Sequence, residues 1–366
     1  MRKTTVGGGI PLGGLPLLLA SWMALLPCVS GAGTSYQIFV SNEKSDNVTV
    51  INGADFTVTA TLPVGKRPRG VQTSPDGKTV YVALSGTPVK APPQLDAKGN
   101  PIFASGKKDD DDDDDVAADK AADGIGVIDV AGLKFTTKLN AGSDPEEFAL
   151  SRDGKRIYIS NEDVKTASVI NIAANKVEAI IPIGQEPEGV ATTPDGKQFY
   201  VTCEASGEIF IIDSTTYKVV SHFKINGRPR SADFLRDAAI GFVPSESAGE
   251  LNIIDTAAMK VLKTLPLPAG SRPMRVRVSA DGKKLYVSEG RAGTISVIDT
   301  HTYALTNTIK VGARPWGTAL SPDGKYLFSA NGPSNDVSVV DLSTEKEIAK
   351  IKVGSSPWGV TVAQAP

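Results

Sequence analysis

Arg314-Pro-Trp-Gly-Thr-Ala-Leu-Ser-Pro-Asp-Gly-Lys-Tyr-Leu-Phe328 is the stretch whose reading decides the fold, because its pattern recurs along most of the 366-residue chain. It returns over residues 67–81 as Arg67-Pro-Arg-Gly-Val-Gln-Thr-Ser-Pro-Asp-Gly-Lys-Thr-Val-Tyr81, and again over 144–158 and 186–200. Looser copies begin at Arg228 and Arg272, and a truncated one, Ser356-Pro-Trp-Gly-Val-Thr-Val362, lies near the end. The leading prolines are Pro68, Pro145, Pro187, Pro229, Pro273, Pro315 and Pro357, so the spacing is 42 to 44 after one gap of 77. A period near 42 marks a repeat architecture.

Within each copy, alternating apolar residues such as Val71 with Thr73 and Val80 with Val82 predict two strands around a Ser/Thr-Pro-Asp-Gly turn. Pro presets the first turn position, Asp bonds back to the backbone and Gly takes a positive φ. A third apolar run ends in Asp or Asn (Val48 to Asn52, Ile209 to Asp213, Ile295 to Asp299, Val337 to Asp341), and a fourth precedes a Val-Gly such as Val311-Gly312. Four short antiparallel strands per period make one blade, and seven anchors predict an all-β, seven-bladed β-propeller. Tyr36 to Gly65 holds only the last three strands of a blade and Trp358 to Ala363 only a first one. The ring is therefore expected to close by pairing the C-terminal strand with the N-terminal three, which removes an exposed edge.

Composition supports this reading: 36 Gly and 24 Pro supply turns, and a net charge of −2 provides no footprint for duplex nucleic acid. Residues 1–32 run from Met-Arg-Lys through an apolar stretch to Ser30-Gly-Ala32, the succession of a secretory signal peptide cleaved near Ala32. Export to the periplasm or medium is expected, with the propeller over 33–366, no membrane segment after cleavage, and a monomer; the competing reading is an uncleaved anchor. Cys203 is then the lone thiol, read as a buried apolar filler. Residues 85–123 interrupt the period with a Pro-rich segment and an unbroken Asp run from Asp109 to Asp115, read as a solvated insertion at the channel mouth or an acidic flap.

Variation gathers around the anchor prolines, where the chain enters the innermost strand. Arg67 and Arg69 open the series, followed by an acidic sector of Asp144, Glu146, Glu147, Glu186 and Glu188. A basic sector of Arg228, Arg230, Arg272 and Arg314 follows, with Met274 and then Trp316 and Trp358. Connections between second and third strands add Glu43, Glu162, Glu204, Glu246 and Glu289. Arg offers a fork to anions and Trp a flat apolar surface, so the expected ligand-binding set is Arg67, Arg69, Glu146, Glu188, Arg228, Arg230, Arg272, Arg314, Trp316 and Trp358. Pairing of these charges between blades is the bland alternative.

The recurrence of Phe39-Val-Ser-Asn42, Tyr158-Ile-Ser-Asn161, Tyr200-Val-Thr-Cys203 and Tyr286-Val-Ser-Glu289 resembles the YVTN-repeat β-propellers over residues 36 to 363, insertion excepted. More narrowly it resembles exported seven-bladed propellers associated with PQQ-dependent alcohol catabolism. That resemblance implies a periplasmic accessory protein near a quinoprotein dehydrogenase system, binding an anionic or aromatic small molecule or a protein partner. Neither catalytic residues nor a metal or cofactor is expected: His222 and His301 fall away from the mouth, and no Gly-x-Ser-x-Gly, His-Glu-x-x-His, phosphate-loop or Cys-cluster motif occurs. Two alternatives stay open. Related propellers open sugar lactones, which would make Glu188 a base and Arg230 an electrophile; and Trp316, Trp358 and the arginines would suit single-stranded nucleic acid.

Overall fold

The computed structural model describes residues 36–88 and 117–364. Their strands form seven four-stranded antiparallel sheets in a ring. Numbered from the first anchor, blade 1 begins with Pro68–Thr73, blade 2 with Pro145–Leu150, blade 3 with Pro187–Thr192, blade 4 with Asp233–Phe234, blade 5 with Pro273–Val278 and blade 6 with Pro315–Leu320. Blade 7 joins Pro357–Gln364 to Tyr36–Asn42, Asn47–Asn52 and Val58–Pro63, paired from Tyr36 opposite Gln364 to Asn42 opposite Pro357 with one register shift between Val40 and Asn42. Closure is thus as the two incomplete fragments predict. Apolar faces of adjacent blades pack together, as where Tyr158 of blade 2 stacks on Phe199 of blade 3 with ring centres 4.1 Å apart.

Each complete innermost strand carries a bulge just after its proline. Pro68 opposes Leu84 but Val71 opposes Val82, so Arg69 and Gly70 together face one residue, and the same shift follows Pro145, Pro187, Pro273 and Pro315. A bulge re-aims side chains and leaves a backbone N–H without its ladder partner. The hydroxyl in the Tyr-Val-Ser/Thr motif supplies the missing acceptor: Thr202 accepts from the Gly189 N–H at 2.9 Å, Ser288 from Arg275 at 3.0 Å and Ser41 from Gly359 at 2.9 Å. Ser288 also donates to the Trp316 carbonyl of the next blade at 3.0 Å, so one hydroxyl completes a bulge and joins two blades. Where blade 4 has Pro244 in this place, Ser231 of the innermost segment donates to the Met274 carbonyl instead, at 3.0 Å. Close approach of the blades explains the glycine found after the bulged residue in four of them, Gly70, Gly189, Gly317 and Gly359: a Cβ on Gly189 would stand 2.4 Å from the Arg230 carbonyl oxygen.

The Ser/Thr-Pro-Asp-Gly turns close as their chemistry dictates, Ser74 Oγ and the Lys78 N–H both donating to Asp76 Oδ1. Blade 4 departs from this. Its innermost strand shrinks to two residues plus an isolated bridge between Pro229 and Ser245, and Ala238 takes the left-handed position, at φ 59°, that Gly77 takes at 74°. An L-residue there is strained and glycine is not. Ala238→Gly should raise stability by ~0.5 kcal/mol, the relief exceeding glycine's extra chain entropy; a urea unfolding midpoint that fails to rise would refute this.

The insertion leaves after Leu84 and returns at Gly124. Its roots are anchored: Asp119 and Gly86 share a backbone hydrogen bond, and Asp123 accepts from the Gly86 and Asp144 N–H groups. The Asp109–Asp115 run and residues 1–35 lie outside the described residues.

A candidate catalytic cleft at the channel mouth

The residue before each anchor proline sits in the left-handed region in most blades: Arg67 at φ 46°, Asp144 at 47°, Glu186 at 48°, Arg314 at 52° and Ser356 at 56°. Such a conformation costs of order 1 kcal/mol or more and persists only when neighbours hold it. Here the carbonyl is held by the connection after the second strand of the same blade, as in Glu204 N–H to Glu186 O at 2.7 Å and Glu43 N–H to Ser356 O at 3.0 Å. The strained turn and the bulge after it place two variable side chains per blade at one rim.

Most of the rim charges meet one another. Arg67 pairs with Glu43 at 3.0 Å, and Arg69 pairs with Asp144 at 3.3 Å and with Glu146. Arg228 pairs with Glu204, while Arg230 is gripped by Glu188, Glu204 and Glu246, the last at 3.2 Å. Arg272 reaches Glu246 at 3.3 Å. Burial opposes ionisation of Glu246, but Arg230, Arg228, Arg272 and Arg314 hold its carboxyl below the usual value. Glu162 moves the other way, raised by burial and by the nearby carboxylates of Asp144 and Glu188 against the pull of Arg69.

These contacts sort the ten expected residues. Arg69 is 3% exposed and, with Glu146, is used up in an inter-blade network. Arg67 is largely enclosed, whereas Arg228 and Arg272 keep side-chain exposures of 34% and 45% despite their pairs. Arg314 is exposed, makes no ion pair among the described residues, and lies 4.9 Å over the Trp316 ring. Trp358 is not an open stacking platform: it is 8% exposed and packs edge-on against Trp316, centres 5.8 Å apart. Glu289 also departs from expectation. It is the last residue of its strand, Lys284–Glu289, in the place held by Asn42, Asn161 and Asn331 elsewhere, and it is fully buried inside blade 5 rather than at the mouth. Gly290 occupies the rim position instead, bonded to the Arg272 carbonyl at 2.7 Å. Burial pushes the Glu289 carboxyl up to about 7 and the Cys203 thiol up to about 12.

Where the acidic and aromatic sectors meet across the channel, Glu188, Arg230, Met274, Arg275, Trp316, Gly317 and Trp358 line a small cleft. It joins one carboxylate, two guanidiniums and an apolar wall, a combination able to take a proton from water and to stabilise a developing oxyanion. Arg275 was not among the expected residues. Its one legible sign is that it stands where the repeat otherwise has Gly or Ser, at Gly70, Gly189, Ser231, Gly317 and Gly359; Glu147 is the other exception. No group of three or more His, Cys, Asp or Glu among the described residues is arranged to hold a metal ion.

Two family models match parts of the chain: "Choice-of-anchor I domain" over residues 38–186 and "Lactonase, 7-bladed beta-propeller" over residues 184–353. No curated protein matches. Among solved structures, the chain is similar to a putative 6-phosphogluconolactonase from Bacteroides fragilis, at 17% identity and TM-score 0.69, over 91% of this chain and 99% of that one. The periplasmic gluconolactonase of Pseudomonas aeruginosa matches at 17% identity and TM-score 0.66, over 91% and 100%. Kuenenia stuttgartiensis hydrazine synthase matches at 20% identity and TM-score 0.69, over 84% and 92%. At these identities the structures establish the shared fold. The lactonase model spans Glu188, Arg230, Arg275 and Trp316, and with the similarity to lactonase structures it corrects the expectation of a non-catalytic accessory protein in favour of the hydrolase alternative.

Proposed function

We propose that this protein is a lactonase-like hydrolase that opens a small lactone in the cleft between Glu188, Arg230 and the two tryptophans. The observation that carries the reading is the convergence of Glu188 and Arg230, from adjacent blades, in one cleft walled by Trp316 and Trp358 within or beside the segment the lactonase model matches. Glu204 shares Nη1 of Arg230 with Glu188 and Glu246 holds its Nε, so the guanidinium stays in place when Glu188 turns to a water.

In the chemistry this supports, Glu188 removes a proton as water adds to the lactone carbonyl carbon, and the carbonyl oxygen takes up the negative charge beside Arg230. Collapse of the adduct breaks the bond to the ring oxygen, which takes the proton back from Glu188, leaving a hydroxy acid. The product is an anion once its proton is lost, and the rim guanidiniums of Arg272 and Arg314 attract it. Trp316 and Met274 supply a surface for the C–H face of a compact ring. Residues 1–32 support a periplasmic setting, in the company that the YVTN-repeat resemblance suggests, a quinoprotein alcohol-oxidation system. Neither contributes to the chemistry.

The test is acid release in a pH-stat from glucono-δ-lactone and from its 6-phospho form, above the spontaneous rate. Faster turnover of the phosphorylated ring would assign Arg272 and Arg314 to its phosphate. No enzymatic acid release from either would remove the reading.

A further inference from the structure

The position after the bulged residue is glycine or serine in five blades, and the close approach to the neighbouring blade explains why. Ring closure therefore asks for nothing large or charged there. Blades 2 and 5 nevertheless carry Glu147 and Arg275, and the two side chains meet as an ion pair. Blade 5 is three blades from blade 2 one way round the ring and four the other, so this pair spans the channel. Its side chains are 4% and 11% exposed. Desolvating both charges is costly, and such a pair is a poor source of net stability.

Arg275 is also the second guanidinium of the cleft, with its Cζ 5.8 Å from the Trp358 ring centre. Two residues on, Arg277 donates to the Thr318 carbonyl at 2.9 Å and lies near Asp233, which accepts from the Val278 N–H at 2.9 Å. Arg277 therefore repels Arg275, and Glu147 supplies the opposing charge that holds Arg275 over the cleft. Only Nη2 of Arg275 is engaged by Glu147, and a guanidinium has further N–H donors to offer.

We infer that Arg275 is a second oxyanion-contacting residue of the cleft and that Glu147, reaching across the channel, is the residue that positions it. The inference rests on the lactonase reading of this cleft. In the reaction, water adds to the carbonyl carbon, and the oxygen that gains the electron pair lies between Arg230 and Arg275. When the ring bond breaks, that electron pair re-forms the carbonyl, the ring oxygen takes the proton held by Glu188, and the new carboxylic acid loses its proton to bulk water. A donor aimed at charge that exists fully only in the transition state raises kcat without tightening substrate binding.

The experiment is steady-state kinetics on glucono-δ-lactone for wild type, Glu147→Ala, Glu147→Gln, Arg275→Ala and Glu147→Ala/Arg275→Ala, each with its thermal melt. Expected is a roughly 10- to 100-fold fall in kcat for Glu147→Ala with KM within about twofold, a smaller fall for Glu147→Gln, and a double variant no slower than Arg275→Ala alone. Should Glu147→Ala fail to fold, the Gln variant decides by the same kcat criterion. Unchanged kcat with a lowered melting temperature would make the pair purely structural and overturn the inference while the cleft reading stands. Fully additive losses would likewise overturn it. Absence of wild-type turnover is a different pattern, in which the cleft reading fails and takes this inference with it.

Discussion

Glu188→Gln is expected to abolish most lactone turnover, lowering kcat about 10²- to 10⁴-fold, the usual contribution of a positioned general base. Gln keeps the size of the side chain and a contact to Arg230 but cannot take a proton from water. The fold should be untouched, because Glu188 is a rim residue and its backbone carbonyl, rather than its side chain, takes the hydrogen bond from Ser160 that joins blades 2 and 3. Arg230 retains Glu204 and Glu246, so the cleft keeps its second partner. Rate measurement with a parallel melt separates the outcomes: turnover within about threefold of wild type in a folded Glu188→Gln protein would place the base elsewhere.

Glu289→Gln is expected to change the pH dependence of stability rather than activity. The Glu289 carboxyl lies inside blade 5 flanked by Ser296 and Ser271, and no cation pairs with it among the described residues. Burial raises its value from 4.5 to about 7, so the folded protein holds a proton that the unfolded chain has lost across that window. Stability from the neutral carboxyl is therefore complete below pH 4.5 and declines as pH rises to about 7, by about 3 kcal/mol in all. The Gln variant has no proton to lose and should melt above wild type at pH 8, with most of that advantage gone at pH 5. An identical melting-temperature difference at both pH values would show that Glu289 does not titrate in this window.

Much of the architecture was legible because each repeat carries its own local instructions. Pro-Asp-Gly turns, alternating strands and the run ending in Asp or Asn are short-range chemistry, and the complementarity of Tyr36–Gly65 with Trp358–Ala363 follows from counting. Ala238 shows the limit of that logic: the turn in blade 4 lacks both Pro and Gly, yet the ring forces it into the same left-handed geometry at shorter strand length. Tertiary packing there overrides local preference. Glu289 shows a second limit, since a shift of one residue along a strand moves a side chain from the rim into the sheet, and a glutamate at the end of Tyr-Val-Ser-Glu looks in sequence much like the rim glutamates of other blades.

The candidate site divides along the same line. That arginines, glutamates and tryptophans gather at one end of the propeller was readable from their distance to each anchor proline, because the period turns sequence offset into height along the channel. Which of them pair, and which remain for a ligand, depended on contacts between blades 24 to 128 residues apart. Arg69 and Trp358 had the right residue types and proved enclosed, while Arg275 was hidden by a place the repeat reserves for glycine. A linear repeat specifies the ring by itself, since every blade folds by the same local rules. The cleft exists only once the ring has closed, because its walls come from blades on opposite sides of the channel and their distances are set by closure alone.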